Sequence, residues 1–386
     1  MLPLRKDLKS LIYLDNAATT KPCDEAKNGV MKGLECFGNP SSLHKAGLDA
    51  ELLVSQAREV IADSIGVTPD EIYFTSGATE SNNTAIFGAF KAHGKRKKRV
   101  VTTTVEHPAV RNPADELEKL GCEVIRIAPD ENGEINARDI FAAVNDDTFL
   151  VSCMLVNNET GYILPVAKAF SMIKKKYPAV LTHCDCVQGF MKLPVKAKKL
   201  GADMISLSGH KVYAPKGIGA LYVKKGVHIP PFMLGGGQEK GFRSGTESVP
   251  LICGFGEAVK KLAPNIEENF EKTSKIQKYF IEKCSENGEI FVNSREGGSP
   301  YVTSIAVKGL KSEVLLHYLE KREIYVSSGS ACSKGKKSSV LKEFKYPEQN
   351  LDSTLRISFS IDTTKEDIDA LMDGISAAQS ELCRIK

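Results

Sequence analysis

The segment SGHK (208–211) sets a serine, a histidine and a lysine directly after the β-branched run MISLS (204–208). Residues just past the C-terminal end of a strand in an open α/β sheet lie where such sheets bind ligands. A partly desolvated lysine there has a lowered pKa and can attack an aldehyde as a Schiff-base amine. Alone, Lys211 equally reads as a solvated cap. The run VLTHC (180–184) leads into Asp185, a carboxylate able to pair with a protonated ring nitrogen, and Gln188 follows within reach of a ring oxygen. TSGATES (75–81) comes after the run EIYF and opens a helical stretch through Asn83 to Phe90. Small residues at a strand-to-helix turn expose backbone N–H groups where the helix dipole favours an anion, so a phosphate fits at Gly77 to Thr79. His107, in VEHPA after the run VVTTTV, can stack on a planar cofactor or move a proton near neutral pH.

Each feature has an ordinary reading as a helix cap, a loop residue or a surface charge. Together, four strand ends offer an amine, a carboxylate, an anion cradle and an imidazole, the set that pyridoxal phosphate requires. Such a set needs a sheet whose strands end on one side. From residue 44 to 260, helical stretches alternate with short β-branched runs, the pattern of a mostly parallel sheet covered by helices. The strand candidates are 71–74, 100–105, 123–127, 149–155, 180–184, 204–208 and 220–223. Beyond the Gly-rich stretch LGGGQEKGFRSGTES, a long amphipathic stretch over 251–287 precedes short strands (SIAVKG, RISFS) and a terminal helix. This predicts a large α/β domain over 15–260 and a smaller α+β domain formed by 1–14 and 261–386.

The chain has 386 residues, 42% hydrophobic and 26% charged, with 52 Lys and Arg against 48 Asp and Glu. That composition is globular, and the net charge of +4 is too small at this length to argue for direct nucleic-acid binding. No apolar run reaches the roughly 18 to 20 residues of a membrane span, and the N-terminus lacks a signal-peptide core; a cytoplasmic protein is the expectation. The basic run KAHGKRKKR (91–99) reads as a solvated helix end, with an acidic or tRNA partner as the other reading. The ten cysteines lack repeated C-x-x-C pairs, so no structural metal is expected. In HCDC, Cys184 and Cys186 flank Asp185 beside His183, but alternation along a strand separates neighbours to opposite faces, and packing is the reading adopted.

The motifs YLDNAATT (13–20), FGNPSSLH (37–44), FTSGATES (74–81), EHPAV (106–110), NNETG (157–161), SGHKVYAPKGIGALYV (208–223), GGGQEKGFRSGTES (235–248) and SSGSACS (327–333) run the length of the chain. In this order they resemble the cysteine desulfurases of the NifS/IscS type, class V aminotransferase-like enzymes of fold type I, and SSGSAC points to the desulfurase branch.

The resemblance implies a seven-stranded, mostly parallel sheet in the large domain and a homodimer. Lys211 would hold pyridoxal 5'-phosphate covalently, with Asp185 on the ring nitrogen, Gln188 on the phenolic oxygen and His107 stacked on the ring as well as serving as acid or base. Ala78, Thr79, Ser208 and His210 would hold the phosphate, completed by Thr246 of the other subunit. Asn158, also counted among the cofactor-binding residues, and Arg356 would bind the substrate carboxylate. Cys332, on a loop over about 327–340, would take sulfur from L-cysteine as a persulfide, release L-alanine, and pass the sulfur to an acceptor protein for iron–sulfur cluster assembly or for tRNA or cofactor thiolation. A selenocysteine lyase, or another class V aminotransferase-like enzyme, is the alternative. The loop after Cys332 is Lys-rich rather than Ser/Ala-rich and shorter than in housekeeping members, a departure that bears on the acceptor more than on the chemistry.

Overall fold

The computed structural model describes residues 11–328 and 338–383. The chain divides into two compact units. One takes Thr20–Asn157 and Ile163–Glu267; the other takes Asn158–Tyr162 with the described residues of Met1–Thr19 and Glu268–Lys386.

The first unit is built on a seven-stranded sheet: β1 (Ile72–Thr75), β2 (Arg99–Thr103), β3 (Glu123–Ile127), β4 (Thr148–Met154), β5 (Leu181–Asp185), β6 (Met204–Ser208) and β7 (Gly219–Val223). Their order across the sheet is β1-β7-β6-β5-β4-β2-β3. Only β7 runs against its neighbours β1 and β6, so the other six strands all end on the same side. β4 and β6 are buried at every position, as expected for strands covered on both faces. The helices α1 (Asp24–Glu35), α2 (Lys45–Ile65), α3 (Ala78–His93) and α4 (Pro108–Lys119) belong to this unit. α3 crosses the central strands and buries Ala85, Ile86 and Ala89 in a core with Val100, Val110, Leu117, Phe149 and Leu150. Beside that apolar core, His183 bridges three strands: Nδ1 lies 2.8 Å from Ser152 Oγ and Nε2 lies 2.9 Å from Ser206 Oγ. Burial pushes its pKa down to about 3, so it is a neutral staple.

β2 ends at Thr103, two residues earlier than the run VVTTTV predicts. Glu106 accounts for the turn. Its Oε1 accepts from Thr103 Oγ1 at 2.7 Å and from the Met154 amide at 3.0 Å, which curls the chain back and ties the ends of β2 and β4 together. The carboxyl is completely buried, and that burial raises its pKa to about 8 against the opposing effect of the two hydrogen bonds.

The second unit carries a four-stranded antiparallel sheet in the order Ser327–Ser328, Thr354–Ser358, Val302–Val307 and Ile290–Val292. A two-stranded parallel ribbon pairs Ile12–Tyr13 with Ile324–Tyr325. Its core gathers Phe280, Leu315, Leu319, Ile305, Leu355, Ile357, Phe359, Ile368 and Leu371. The amphipathic stretch over 251–287 is two helices, Val249–Leu262 and Ile266–Glu286, separated by a short turn at Ala263–Asn265. Pro264 explains the break, since it cannot continue the helical hydrogen-bond ladder. Among the described residues, no helix is long and apolar enough to cross a membrane.

The Glu106 tie has a pH signature. Between about pH 4.5 and 8 its carboxyl is protonated when folded and ionised when unfolded, so raising the pH across that window favours unfolding. Glu106→Gln should remove this contribution, flattening the stability-against-pH profile by an amount on the order of a few kcal/mol across the window. Chemical denaturation of both proteins at pH 5 and pH 8 measures it, and parallel profiles would show that the carboxyl ionises normally in the fold.

Candidate active site

The C-terminal ends of β1, β2, β5 and β6 bring together the residues picked out from the sequence. Asp185 closes β5 and is buried. Its carboxylate is fixed twice: Oδ2 accepts from Asn82 Nδ2 of α3 at 2.8 Å, and Oδ1 accepts from the Val187 amide at 3.0 Å. The amide oxygen of Asn82, Oδ1, is buried with no hydrogen-bond partner among the described residues. Three residues past Asp185, the buried Gln188 accepts at Oε1 from Lys192 Nζ at 2.8 Å.

Ser208 closes β6, and His210 and Lys211 form the tight turn after it. That turn is fastened to Thr20: the Thr20 amide and Oγ1 both donate to the His210 carbonyl at 2.8 and 3.1 Å, while the Tyr213 amide donates to Thr20 Oγ1 at 2.7 Å. Burial, reinforced by Lys211, Lys216 and Lys192, pushes the His210 pKa down to about 4, so its imidazole is neutral. His107 is the N-cap of α4, with Nδ1 accepting from the Ala109 amide at 3.1 Å. This assigns the proton to Nε2. Burial lowers the His107 pKa; Asp185 opposes that effect, while Lys211 and Arg111 add to it. This places Asp185 and Lys211 within electrostatic reach of His107.

Ala78 and Thr79 form the first turn of α3, whose leading N–H groups have no intrahelical acceptor. Gly77, at φ 151°, takes a conformation reserved for glycine. A Cβ on Gly219 of β7 would come within 2.8 Å of the Gly77 Cα, so both glycines let the turn close over the sheet. An open cleft of about 460 Å³ adjoins it, lined in part by Thr79, Asn83 and His107. Thr246 is exposed on the loop that follows Glu239–Gly241. That loop is anchored by two fork-shaped ion pairs, Arg58 with Glu239 and Arg243 with Glu80.

In the second unit, Arg356 of the strand Thr354–Ser358 is buried. Nη2 donates to Asp15 Oδ1 at 2.7 Å and Nη1 to the Asn158 carbonyl at 3.2 Å, whereas Nε is buried with no hydrogen-bond partner among the described residues. Cys332 lies outside the described residues.

The sequence reading did not single out Asn82, Thr20, Glu106, Lys192 or Asp15. Glu106 stood beside His107 in EHPAV, and Lys192 is four residues on from Gln188; the partners of Asn82 and Thr20 are 103 and 190 residues away, beyond any local signal. Among the described residues, no group of three or more His, Cys, Asp or Glu side chains is arranged to hold a metal ion. The arrangement can instead seat an anion at α3, a cationic ring nitrogen at Asp185 and an aldehyde at Lys211.

Comparison with known proteins agrees. The chain is 41% identical over 367 residues to a NifS/IscS protein homolog of Lactobacillus delbrueckii subsp. bulgaricus, covering 93% of this chain and 94% of that one. It is 38% identical over 373 residues to the cysteine desulfurase IscS of Dictyoglomus turgidum, covering 95% and 94%. A solved structure of a NifS-like protein superposes with a TM-score of 0.91 at 34% identity, covering 96% of this chain and all of that one. The family model of the class V aminotransferases matches residues 12–371. With fold, strand-end constellation and relatives in accord over nearly its whole length, the chain belongs to the class V aminotransferase family.

Proposed function

We infer that this chain is a pyridoxal-phosphate-dependent cysteine desulfurase that takes sulfur from L-cysteine, releases L-alanine and keeps the sulfur as a persulfide on Cys332. The observation that carries this reading is the convergence of Asp185, Lys211 and His107 at strand ends on one side of the sheet, in a chain 37–41% identical to relatives named as cysteine desulfurases or NifS homologues.

The residues fit the cofactor. Asp185, held rigidly by Asn82 and Val187, suits a protonated pyridine nitrogen, and the first turn of α3 at Ala78 and Thr79, with Ser208 and neutral His210, suits a phosphate. Gln188 takes the phenolic oxygen and Lys211 the aldehyde. When bound, pyridoxal phosphate supplies an electron sink that acidifies the substrate α-carbon. Arg356, steered by Asp15 and offering its unpartnered Nε, binds the substrate carboxylate together with Asn158. Lys211 would remove the α-proton. His107, with its proton on Nε2, would stack on the ring and move protons on substrate groups. The Cys332 thiolate attacks the substrate sulfur: an S–S bond forms, the C–S pair stays with the substrate carbon, and that carbon takes up a proton before leaving as L-alanine.

The chain acts as a homodimer, with Thr246 completing the partner's phosphate site. Support comes from Phe37 and Leu43, 88% and 94% exposed, and from the exposed Leu48, Leu52 and Leu234 of the same unit, apolar side chains that a second subunit would cover. An acceptor protein takes the persulfide onward to iron–sulfur cluster assembly or to thiolation. The nine described cysteines, none in a disulfide, agree with a cytoplasmic location.

Lys211→Ala should abolish the visible absorbance of bound cofactor, whereas Cys332→Ala should keep that absorbance and lose the persulfide. Alanine released from L-cysteine, together with mass mapping of the persulfide, tests both. Persulfide and alanine at the normal rate from Cys332→Ala would remove that residue as nucleophile, and cofactor-loaded protein that acts only on selenocysteine would replace the substrate. Arg356→Lys should raise the KM for L-cysteine roughly ten- to a hundredfold without changing the absorbance; an unaltered KM would free the carboxylate from Arg356.

A further inference from the structure

Lys192 is 5% exposed and its ammonium lies 2.8 Å from Oε1 of Gln188, itself 4% exposed. A buried ammonium is expensive unless hydrogen bonds replace its lost water. A second cost sits next to it. Met191 has φ 57°, in the left-handed region that L residues avoid, and a residue held there persists only where its surroundings over-determine it. A methionine or leucine at position 192 would fill the same space without the charge. The segment thus places a buried ammonium on the Gln188 amide next to a strained backbone.

An ammonium can only donate, so it selects the oxygen of a carboxamide; the reverse orientation would set NH2 against NH3+. In a planar amide the oxygen and the nitrogen lie on opposite prongs, so committing Oε1 to Lys192 turns both N–H donors away from it. We propose that Lys192 is a positioning residue that locks the Gln188 carboxamide with its NH2 directed at the phenolic oxygen of bound pyridoxal phosphate, an inference resting on the reading that this chain binds that cofactor. Gln188 follows three residues after Asp185, whose carboxylate is itself pinned by Asn82 and Val187. Lys192 also acts on His210, after burial and alongside Lys211 and Lys216, which puts its ammonium within electrostatic reach of the turn that carries Lys211.

A donor held on the ring oxygen favours that oxygen's anionic form and lowers the pH at which the cofactor's visible band changes. The test is a pH titration of that band in the holoenzyme for wild type, Lys192→Met, Gln188→Leu and the double variant. A typical net hydrogen-bond energy converts to an upward midpoint shift of roughly half a unit to one unit for Lys192→Met. Gln188→Leu should shift it at least as far, and the double variant should coincide with Gln188→Leu, because Lys192 acts through Gln188. Lys192→Gln, which is smaller and keeps a donor, should fall between wild type and Gln188→Leu; it carries the test if Lys192→Met does not fold. A wild-type midpoint in either Lys192 variant overturns the proposal, even if the melting temperature drops, and so do shifts that add in the double variant, which would mean that the charge acts directly. Failure of the cofactor reading looks different: purified protein supplied with pyridoxal phosphate would then show no visible band that Lys211→Ala removes.

Discussion

The organisation of the first unit turns on one buried carboxylate. Asp185 closes β5 in the middle of the sheet, in a place where a charge loses its water and must be repaid with hydrogen bonds. Asn82 and the Val187 amide meet that demand from two directions. Asn82 can do so only because α3 crosses the strands at that point, and α3 can start where it does only because Gly77 and Gly219 let its first turn come down onto the sheet. The anion cradle and the carboxylate are therefore positioned by the same helix.

The titratable groups around Asp185 are arranged so that few of them carry charge. His107 and His210 are held below their ordinary pKa by burial and by neighbouring cations, His183 is a neutral bridge, and Glu106 is kept protonated near neutrality. What is left includes Asp185 and Lys211, which act on His107 in opposite directions, in surroundings of low polarity where such effects are felt strongly. In the second unit the same economy recurs, with Arg356 balanced by Asp15 and one donor still uncommitted.

Much of this was legible in the residues. The runs EVIRI and MISLS coincide with β3, at the sheet edge, and β6, buried at every position, to the residue, because each is a short run with an abrupt end. The candidate residues Ser208, His210 and Lys211 could be read for the same reason: a strand end is a local feature. What was not legible is what holds them. Asn82 and Asp15 find their partners 103 and 341 residues away, and no periodicity reports that. The length of β2 was overread because a buried glutamate, rather than a glycine or a proline, turns the chain. Within the amphipathic stretch over 251–287, the break at Pro264 divides two helices.

The thiols have a bearing on specificity. Burial raises the pKa of Cys23 and Cys122, lifts Cys153 and Cys184 well above the ordinary range, and brings Cys253 to about 11 and Cys284 to about 12. Cys184 and Cys186 lie 3.5 Å apart in the protein interior. Only a thiolate attacks sulfur, so near neutral pH the six with raised pKa values are poorer nucleophiles than a free thiol. A catalyst that handles reactive sulfur can then be rich in cysteine without diverting its cargo, because the fold, rather than the number of thiols, decides where sulfur is able to land.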